Sequence, residues 1–143
     1  MLVQHILDGK PAGVETISPT ATIRDAAAVL SRRKIGALVV SEDGSILRGI
    51  LSERDIVREL GERGAECLND QVRDLMTAKV ESCIAAEPTD AVLERMTTGR
   101  FRHMPVVDEG KVTGIISIGD VVKARIEMME SENLALTEMI KGF

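Results

Sequence analysis

The feature that most constrains the fold of this chain is an internal repeat. The segment GILSERDIV at residues 49–57 returns as GIISIGDVV at residues 114–122, with glycine, isoleucine, serine, aspartate and the final valine at matching places. The similarity extends further, since residues 14–60 align with residues 80–126 almost without gaps. A unit of this length buries little apolar surface alone, and neighbouring copies of a repeat usually share a core. We therefore predict one α+β body in which two copies stack sheet to sheet.

Both copies begin with a short β-prone piece that leads into a helical pattern. In the first copy, Ile23, Ala26 and Leu30 recur at the i, i+3, i+7 spacing of a half-buried helix. Thr22 and Thr89 directly precede the two helical patterns, and threonine is a favoured N-cap residue. We expect one helix to begin after each of them.

A β-hairpin and a closing helix complete each copy. The sequence predicts buried strands at residues 35–40 and 101–107, turns at 42–44 and 108–110, and returning strands at 46–51 and 112–116. The closing helices begin at Ser52 and Ser117, and the first ends near Leu60, where Gly61 is suited to the C′ position. One helical turn of lead-in also recurs before each copy, at residues 3–7 and 72–76.

These patterns predict an α+β fold of tandem β-α-β-β-α repeats with pseudo-two-fold symmetry. We divide the chain into a first repeat with its lead-in at 1–61, a second repeat with its lead-in at 62–126, and a C-terminal helical extension at 127–143. An approximate i, i+3, i+7 stripe runs along the last helix: Ile126, Met129, Asn133, Leu136 and Ile140. A helix with such a stripe must bury it against its own body or a second subunit.

Composition and charge argue against several classes of function. The formal net charge of −5 at pH 7 and the aromatic content of 1% disfavour nucleic-acid binding, which relies on positive surfaces and stacking side chains. No apolar run is long enough to cross a bilayer, and the N-terminus lacks the features of a signal peptide, so we expect a cytoplasmic protein without membrane contact. Cys67 and Cys83 lack metal-ligand spacing, so we expect reduced thiols and no intrinsic metal.

The repeated Ser-x-x-Asp motif, at residues 52–55 and 117–120, has two interpretations. Serine at a strand-to-helix junction is a favoured N-cap, and an acidic residue three positions on completes a capping box. The same geometry suits a nucleotide, since a helix N-terminus attracts phosphate and an aspartate can accept hydrogen bonds from both hydroxyls of a ribose. The spacing alone leaves both interpretations open.

The two halves resemble a pair of CBS domains, which together form a Bateman module, in a short stand-alone protein. The resemblance rests on an ordered set of segments present twice: TIRDAAAVL, KIGALVV and GILSERDIVREL in the first half, and TDAVLERM, RFRHMPVVD and GIISIGDVVKAR in the second. It covers residues 1–126. The second copy follows the family pattern closely, whereas the first has residues 35–39 where the family often has a His-x-Pro-like stretch.

This resemblance implies binding of an adenosine-containing ligand, AMP foremost, with ADP, ATP, NAD(H) or S-adenosylmethionine as alternatives. It assigns ribose hydroxyls to Asp55 and Asp120, and phosphate or ribose to Ser52 and Ser117. The other implied contacts are Gly36, Ala37, Leu38, Met104 and Pro105 around the adenine, and Arg54, Arg102 and His103 at the phosphate.

The implied function is that of a regulatory sensor that binds an adenine nucleotide, forms a homodimer and acts in trans on an unidentified protein partner. The alternative is a structural or dimerisation module whose nucleotide pockets are vestigial. We expect no catalytic activity, because the cysteines have no motif partner and no nucleophile–base pair stands out. The sequence leaves open which nucleotide binds, how many sites are filled and whether magnesium accompanies it.

Overall fold

The first half of the chain folds in the order that the repeat predicts. The computed structural model describes residues 1–141, and its first half consists of α1 Val3–Asp8, β1 Thr16–Ile17, α2 Ile23–Arg33, β2 Ala37–Val40, β3 Gly49–Ser52 and α3 Glu53–Arg63. β2 is the central strand, parallel to β1 and antiparallel to β3. All four residues of β2 are buried, which explains the uninterrupted apolar run in its sequence.

The second half repeats this order with longer strands. It consists of α4 Val72–Leu75, α5 Thr89–Gly99, β4 His103–Asp108, β5 Lys111–Ser117 and α6 Ile118–Ile140. β4 and β5 form an antiparallel hairpin with an irregularity between Val106 and Val107. The β-prone piece that precedes α5 forms only one parallel bridge, between Cys83 and Val106. The tandem α+β fold is confirmed.

Each half has its own apolar core, in contrast to the shared core that the repeat predicted, and the two lead-in helices are exchanged between the halves. Val3 and Ile6 of α1 lie in the core of the second half, whereas Val72 of α4 lies in the core of the first. Backbone hydrogen bonds hold both helices in place, from Val3 N to Glu87 O at 2.9 Å and from Val72 N to Ala21 O at 2.8 Å. Each core therefore needs a helix from the other half of the sequence, and the domain boundaries at 61 and 126 stay predictions.

Two of the five predicted helix ends differ in the structure. Thr22 is the N-cap of α2, as predicted, and forms a capping box with Asp25. Thr89 was predicted as an N-cap but is the first residue of α5, and its hydroxyl donates to Met1 O at 3.3 Å. Gly61 is likewise not a C′ residue, because α3 continues to Arg63 and Gly64 follows with a φ of +74°.

The returning strand of the first half, β3, is shorter than predicted at the hairpin, whereas β2 ends at Val40 as predicted and begins two residues later than predicted. Residues 46–48 lie outside β3, and Ile46 forms only an isolated bridge to Lys111. The Asp43 carboxylate accepts hydrogen bonds from Ser45 N at 2.8 Å and from Ile46 N at 2.9 Å. These amides are satisfied by the turn, so they take no part in a ladder with β2.

α6 is a continuous helix of 23 residues that starts as the closing helix of the second repeat. Every described residue from 125 to 141 is exposed, so the chain's own body does not cover this part of the helix. Residues 142–143 of the predicted extension lie outside the described residues. Within residues 1–141, no helix is long and apolar enough to cross a membrane, and no cluster of three or more His, Cys, Asp or Glu side chains could hold a metal ion.

Candidate functional site

Both Ser-x-x-Asp motifs form complete capping boxes. In the first, the Ser52 hydroxyl accepts a hydrogen bond from Asp55 N at 3.3 Å, and the Asp55 carboxylate accepts one from Ser52 N at 2.9 Å. The corresponding distances between Ser117 and Asp120 are both 3.0 Å. The capping interpretation is therefore correct, and it fixes each aspartate on the first turn of its helix. Binding of a ligand by the same groups depends on their surroundings.

A cation contacts each of these aspartates. Arg58 Nη2 donates to Asp55 Oδ1 at 3.0 Å. Lys10 Nζ, in the segment after α1, donates at 2.8 Å to both Asp120 Oδ2 and Ile115 O. Burial alone would raise the pKa of Asp120, but the hydrogen bonds from Lys10 and from the backbone at Ser117 outweigh it and hold the pKa below its usual value. Asp120 is therefore an ionised acceptor at neutral pH.

The Asp55 pocket is a cavity of about 470 Å³ that borders both halves of the chain. It is lined by residues 52–55 and Arg58 of the first repeat, by residues 79–81, and by residues 99–103 at the corner between α5 and β4. Five lining residues are basic: Arg54, Arg58, Lys79, Arg100 and Arg102. The volume suits a nucleotide-sized ligand, and the charge suits a phosphate group.

The Asp120 pocket is a cavity of about 740 Å³ built in the same way from the opposite repeats. It is lined by residues 113–117 and Asp120 of the second repeat, by residues 10–15, and by residues 33–37 at the corner between α2 and β2. Each pocket thus combines the start of one closing helix with the helix-to-strand corner of the other repeat. Neither repeat alone forms a complete pocket.

His103 and Gly36 line both pockets. A Cβ atom at Gly36 would lie 3.1 Å from His103 Cε1, so the glycine backbone and the imidazole are closely packed. Burial is the largest influence on the pKa of His103 and lowers it, and the imidazole is therefore neutral at pH 7. The side chain forms a shared wall through which the two pockets contact each other.

We expect His103→Gln to reduce the loss of stability between about pH 7 and pH 5. Lys10 and Arg102 add to the lowering of the His103 pKa, while Asp120 and Glu53 oppose it. The unfolded chain protonates His103 more readily than the folded protein does. The stability contributed by the neutral imidazole is therefore fully present above the ordinary pKa of histidine and is lost as the pH falls toward the pKa of His103 in the folded protein. Urea unfolding at both pH values measures the change. His5→Gln, on the exposed side of α1, is the control, and equal effects of both variants would contradict the prediction.

The structure places most of the predicted contact residues at these pockets. Ser52, Arg54, Asp55 and Arg102 line the Asp55 pocket, Ala37, Ser117 and Asp120 line the Asp120 pocket, and Gly36 and His103 line both. Leu38 and Met104 are completely buried in the two cores, and Pro105 is buried in β4. These three side chains line neither pocket, and their assignment to the adenine stays a prediction.

Six basic lining residues were not among the predicted contacts: Lys10, Arg33, Lys34, Arg58, Lys79 and Arg100. Arg100 directly precedes the predicted strand at 101–107, and Lys79 directly precedes the aligned start of the second repeat, so their place in the repeat could have indicated them. Nothing in the local sequence marks Lys10, because its contact with Asp120 spans 110 residues.

The fold and these two clefts define a tandem α+β module with two candidate ligand sites. The chain belongs to the CBS domain family, whose sequence pattern matches residues 10–62 and 72–127. A mitochondrial CBS domain-containing protein of Arabidopsis thaliana is 35% identical over 126 residues, which cover 85% of this chain and 61% of the plant protein. This chain therefore spans less than two thirds of that relative.

Solved structures have the same fold. A CBS-domain containing protein from Agrobacterium tumefaciens is 45% identical, with a TM-score of 0.84, and the match covers 87% of this chain and 99% of the other. A CBS domain protein from Pyrobaculum aerophilum, complexed with AMP, is 26% identical with a TM-score of 0.73 and covers 84% and 89% of the two chains. The assignment of this chain as a pair of CBS domains is confirmed.

Proposed function

We propose that this chain is a regulatory module that binds an adenosine-containing ligand, AMP foremost, in its two pockets. The proposal rests on one observation. In each pocket, an aspartate of a helix capping box and several basic side chains line a cavity large enough for a nucleotide. Membership of the CBS domain family and the AMP complex of the Pyrobaculum aerophilum protein support it. ATP, ADP and NAD(H) are the alternatives with the same adenosine chemistry.

The proposed binding mode assigns one part of the ligand to each kind of lining group. The aspartates accept hydrogen bonds from ribose hydroxyls, since a carboxylate has about four acceptor sites and the capping box occupies only some of them. The serines lie at helix N-termini, where backbone amides attract phosphate. Val80 and Phe101 in the Asp55 pocket, and Ile35 and Ala37 in the Asp120 pocket, offer apolar surface to the adenine.

In this proposal the module acts by binding and performs no catalysis. Cys67 and Cys83 are buried, and burial raises the pKa of Cys83 to about 11, so its thiol is a poor nucleophile at neutral pH. The output is a change in shape or association that is passed in trans to a partner protein. A ligand causes such a change only when it prefers one arrangement over another. The cytoplasmic location stays a prediction.

Thermal unfolding with and without AMP tests the proposal. A ligand present at about 100 times its Kd adds roughly 2.7 kcal/mol of stability. We expect Asp55→Ala and Asp120→Ala each to reduce the increase in Tm, and the double variant to abolish it. Asp25→Ala is the matched control, because it removes the same carboxylate from the capping box of α2 but lines neither pocket. It should lower the Tm and keep the full AMP response.

A second outcome would favour the alternative function. If AMP, ADP, ATP and NADH all leave the Tm of the wild type unchanged after removal of co-purified nucleotide, the motif serves only as a helix cap. The chain is then a structural or dimerisation module with vestigial pockets.

We also propose that two copies of the chain pair through α6. Six positions on this helix recur at alternating intervals of four and three residues: Val122, Ile126, Met129, Asn133, Leu136 and Ile140. This is the spacing of a coiled-coil seam, in which a single asparagine specifies the register. Its apolar members are between 45% and 83% exposed. A second copy is the matching occupant, because such a seam is complementary to itself.

Leu136→Glu is expected to convert the dimer into a monomer, because it places a charge in the centre of the proposed seam. Multi-angle light scattering after size exclusion measures the mass. Leu134→Glu is the control, since Leu134 is 63% exposed on the same helix but lies off the seam. A monomeric wild type, or equal dissociation by both variants, would show that α6 does not pair in this way.

A further inference from the structure

The two pockets differ in free positive charge, although equivalent parts of the repeats form them. In the Asp55 pocket, Arg58 pairs with Asp55 at 3.0 Å, and Glu81 pairs with Arg95 at 3.5 Å. Four other lining cations have no salt bridge to any of residues 1–141: Arg54, Lys79, Arg100 and Arg102. All four are exposed, and Glu53 is the one lining acid that remains to oppose them in the described chain.

In the Asp120 pocket, by contrast, most of the charged lining side chains form salt bridges with one another. Lys10 binds Asp120 at 2.8 Å, and Arg33 binds Glu15 at 3.5 Å. Lys34 is the only lining cation without a salt bridge to the part of the chain that the structure describes. A negatively charged ligand in this pocket would have to compete with the protein's own carboxylates.

The repeat alignment shows which positions cause the difference. Residues that align with the four free cations of the Asp55 pocket are glycine in three cases and lysine in one: Gly119 for Arg54, Gly13 for Lys79, Gly36 for Arg102 and Lys34 for Arg100. The serine and aspartate of the capping boxes are the same in both copies. The two copies therefore share the groups proposed to bind the ribose and differ in the charged groups proposed to face its phosphates.

We propose that the Asp55 pocket prefers adenosine ligands with a pyrophosphate or longer phosphate chain over those with one phosphate, and that the Asp120 pocket binds both kinds about equally. The inference rests on the proposed function and adds the ligand class of each pocket. Each further phosphate adds negative charge and acceptor oxygens, which unpaired Arg and Lys side chains bind through charge-assisted hydrogen bonds. Nucleoside diphosphates, nucleoside triphosphates and dinucleotides share this pyrophosphate chemistry.

Calorimetric titration of single-pocket variants tests the division. Asp120→Ala leaves the Asp55 pocket, and Asp55→Ala leaves the Asp120 pocket; each is titrated with AMP, ADP, ATP and NADH. In Asp120→Ala we expect ADP, ATP and NADH to bind at least about tenfold more tightly than AMP, the size of one added charge-assisted contact. In Asp55→Ala the four ligands should agree within about threefold, less than the effect of one such contact. Equal affinity for ADP and NADH would show that the pyrophosphate itself causes the preference. Tighter binding of ATP than of ADP would show that the third phosphate also contributes.

Two lysine variants complete the test. Lys79→Met, made in the Asp120→Ala background, should remove most of the preference for ADP over AMP. In the Asp120→Ala variant itself, a higher salt concentration should weaken the binding of ADP more than the binding of AMP. Lys34→Met, in the Asp55→Ala background, is the matched control and should change the ADP to AMP ratio little. The same ratio in both pockets would overturn this inference and leave the proposed function standing. Failure of every ligand to bind the wild type would overturn both.

Discussion

Val3→Asp is expected to destabilise the protein by at least about 3 kcal/mol and to loosen the second half of the chain first. Val3 is completely buried in the core that contains Met104, Val106 and Ile116. An aspartate at this position places an unpaired charge among apolar side chains, where it loses its hydration without gaining a partner. Urea unfolding measures the total loss. Amide hydrogen exchange locates it, with protection falling in β4 and β5 before β2 and β3.

Two further variants test the exchanged packing of the lead-in helices. Gln4→Asp adds a charge to the exposed side of α1 and should change the stability by less than about 0.5 kcal/mol. Val72→Asp is the converse of Val3→Asp, because Val72 is completely buried in the first core. Its exchange protection should fall first in β2 and β3. If both buried variants lost protection first in the same half, the proposed packing of α1 and α4 against opposite cores would be refuted.

Gly49→Ala is expected to cost about 1 to 3 kcal/mol, the usual range for overpacking a tight site. A Cβ atom at this position would lie 2.8 Å from Thr77 O and 2.7 Å from Met76 Sδ. The backbone of Thr77 is held by two hydrogen bonds with Ile50, at 3.0 and 2.9 Å. It cannot move away from the new methyl group without weakening them. Because Ile50 and Thr77 line the Asp55 pocket, ligand binding there should weaken as well.

Gly114→Ala is the matched variant in the second repeat and should cost about 1 kcal/mol or less. Its Cβ atom would meet Leu7 Cδ2 at 2.7 Å, which is the end of a flexible, half-buried side chain. A change in the Leu7 rotamer relieves this contact, whereas the contact of Gly49 with the Thr77 backbone cannot be relieved by a side-chain rotation. Urea midpoints of the two variants give the comparison. Similar losses at both glycines would contradict the explanation based on Thr77.

Local signals predicted most of the elements because the forces behind them act over a few residues. The apolar spacing from Ile23 to Leu30 predicts α2, and Ser52 and Ser117 mark the starts of α3 and α6. The errors also have local causes. Thr89 resembles a cap, yet Pro88 takes that place and the Thr89 side chain contacts the N-terminus of the chain. Propensity cannot register a partner that lies 88 residues away.

The candidate site was predictable in its chemistry but not in its assembly. Both Ser-x-x-Asp motifs were visible, and so were the basic residues near Arg102. Leu38 and Met104 looked equivalent to their neighbours, but their strands direct them into the cores and away from the pockets. The ion pair of Lys10 with Asp120 joins a loop after the first helix to the last helix, and no short segment encodes it.

The sequence by itself determined the duplicated β-α-β-β-α unit, the helix caps at Thr22, Ser52 and Ser117, and the glycines that align with Arg54, Lys79 and Arg102. These features follow from hydrogen bonds and apolar periodicity within one unit, which the order of residues fixes directly. Only the tertiary structure decided that α1 and α4 serve opposite cores, and that each pocket joins the two repeats. Two nearly equivalent units offer nearly equivalent surfaces to each lead-in helix, so the choice between them depends on the packing of the whole chain.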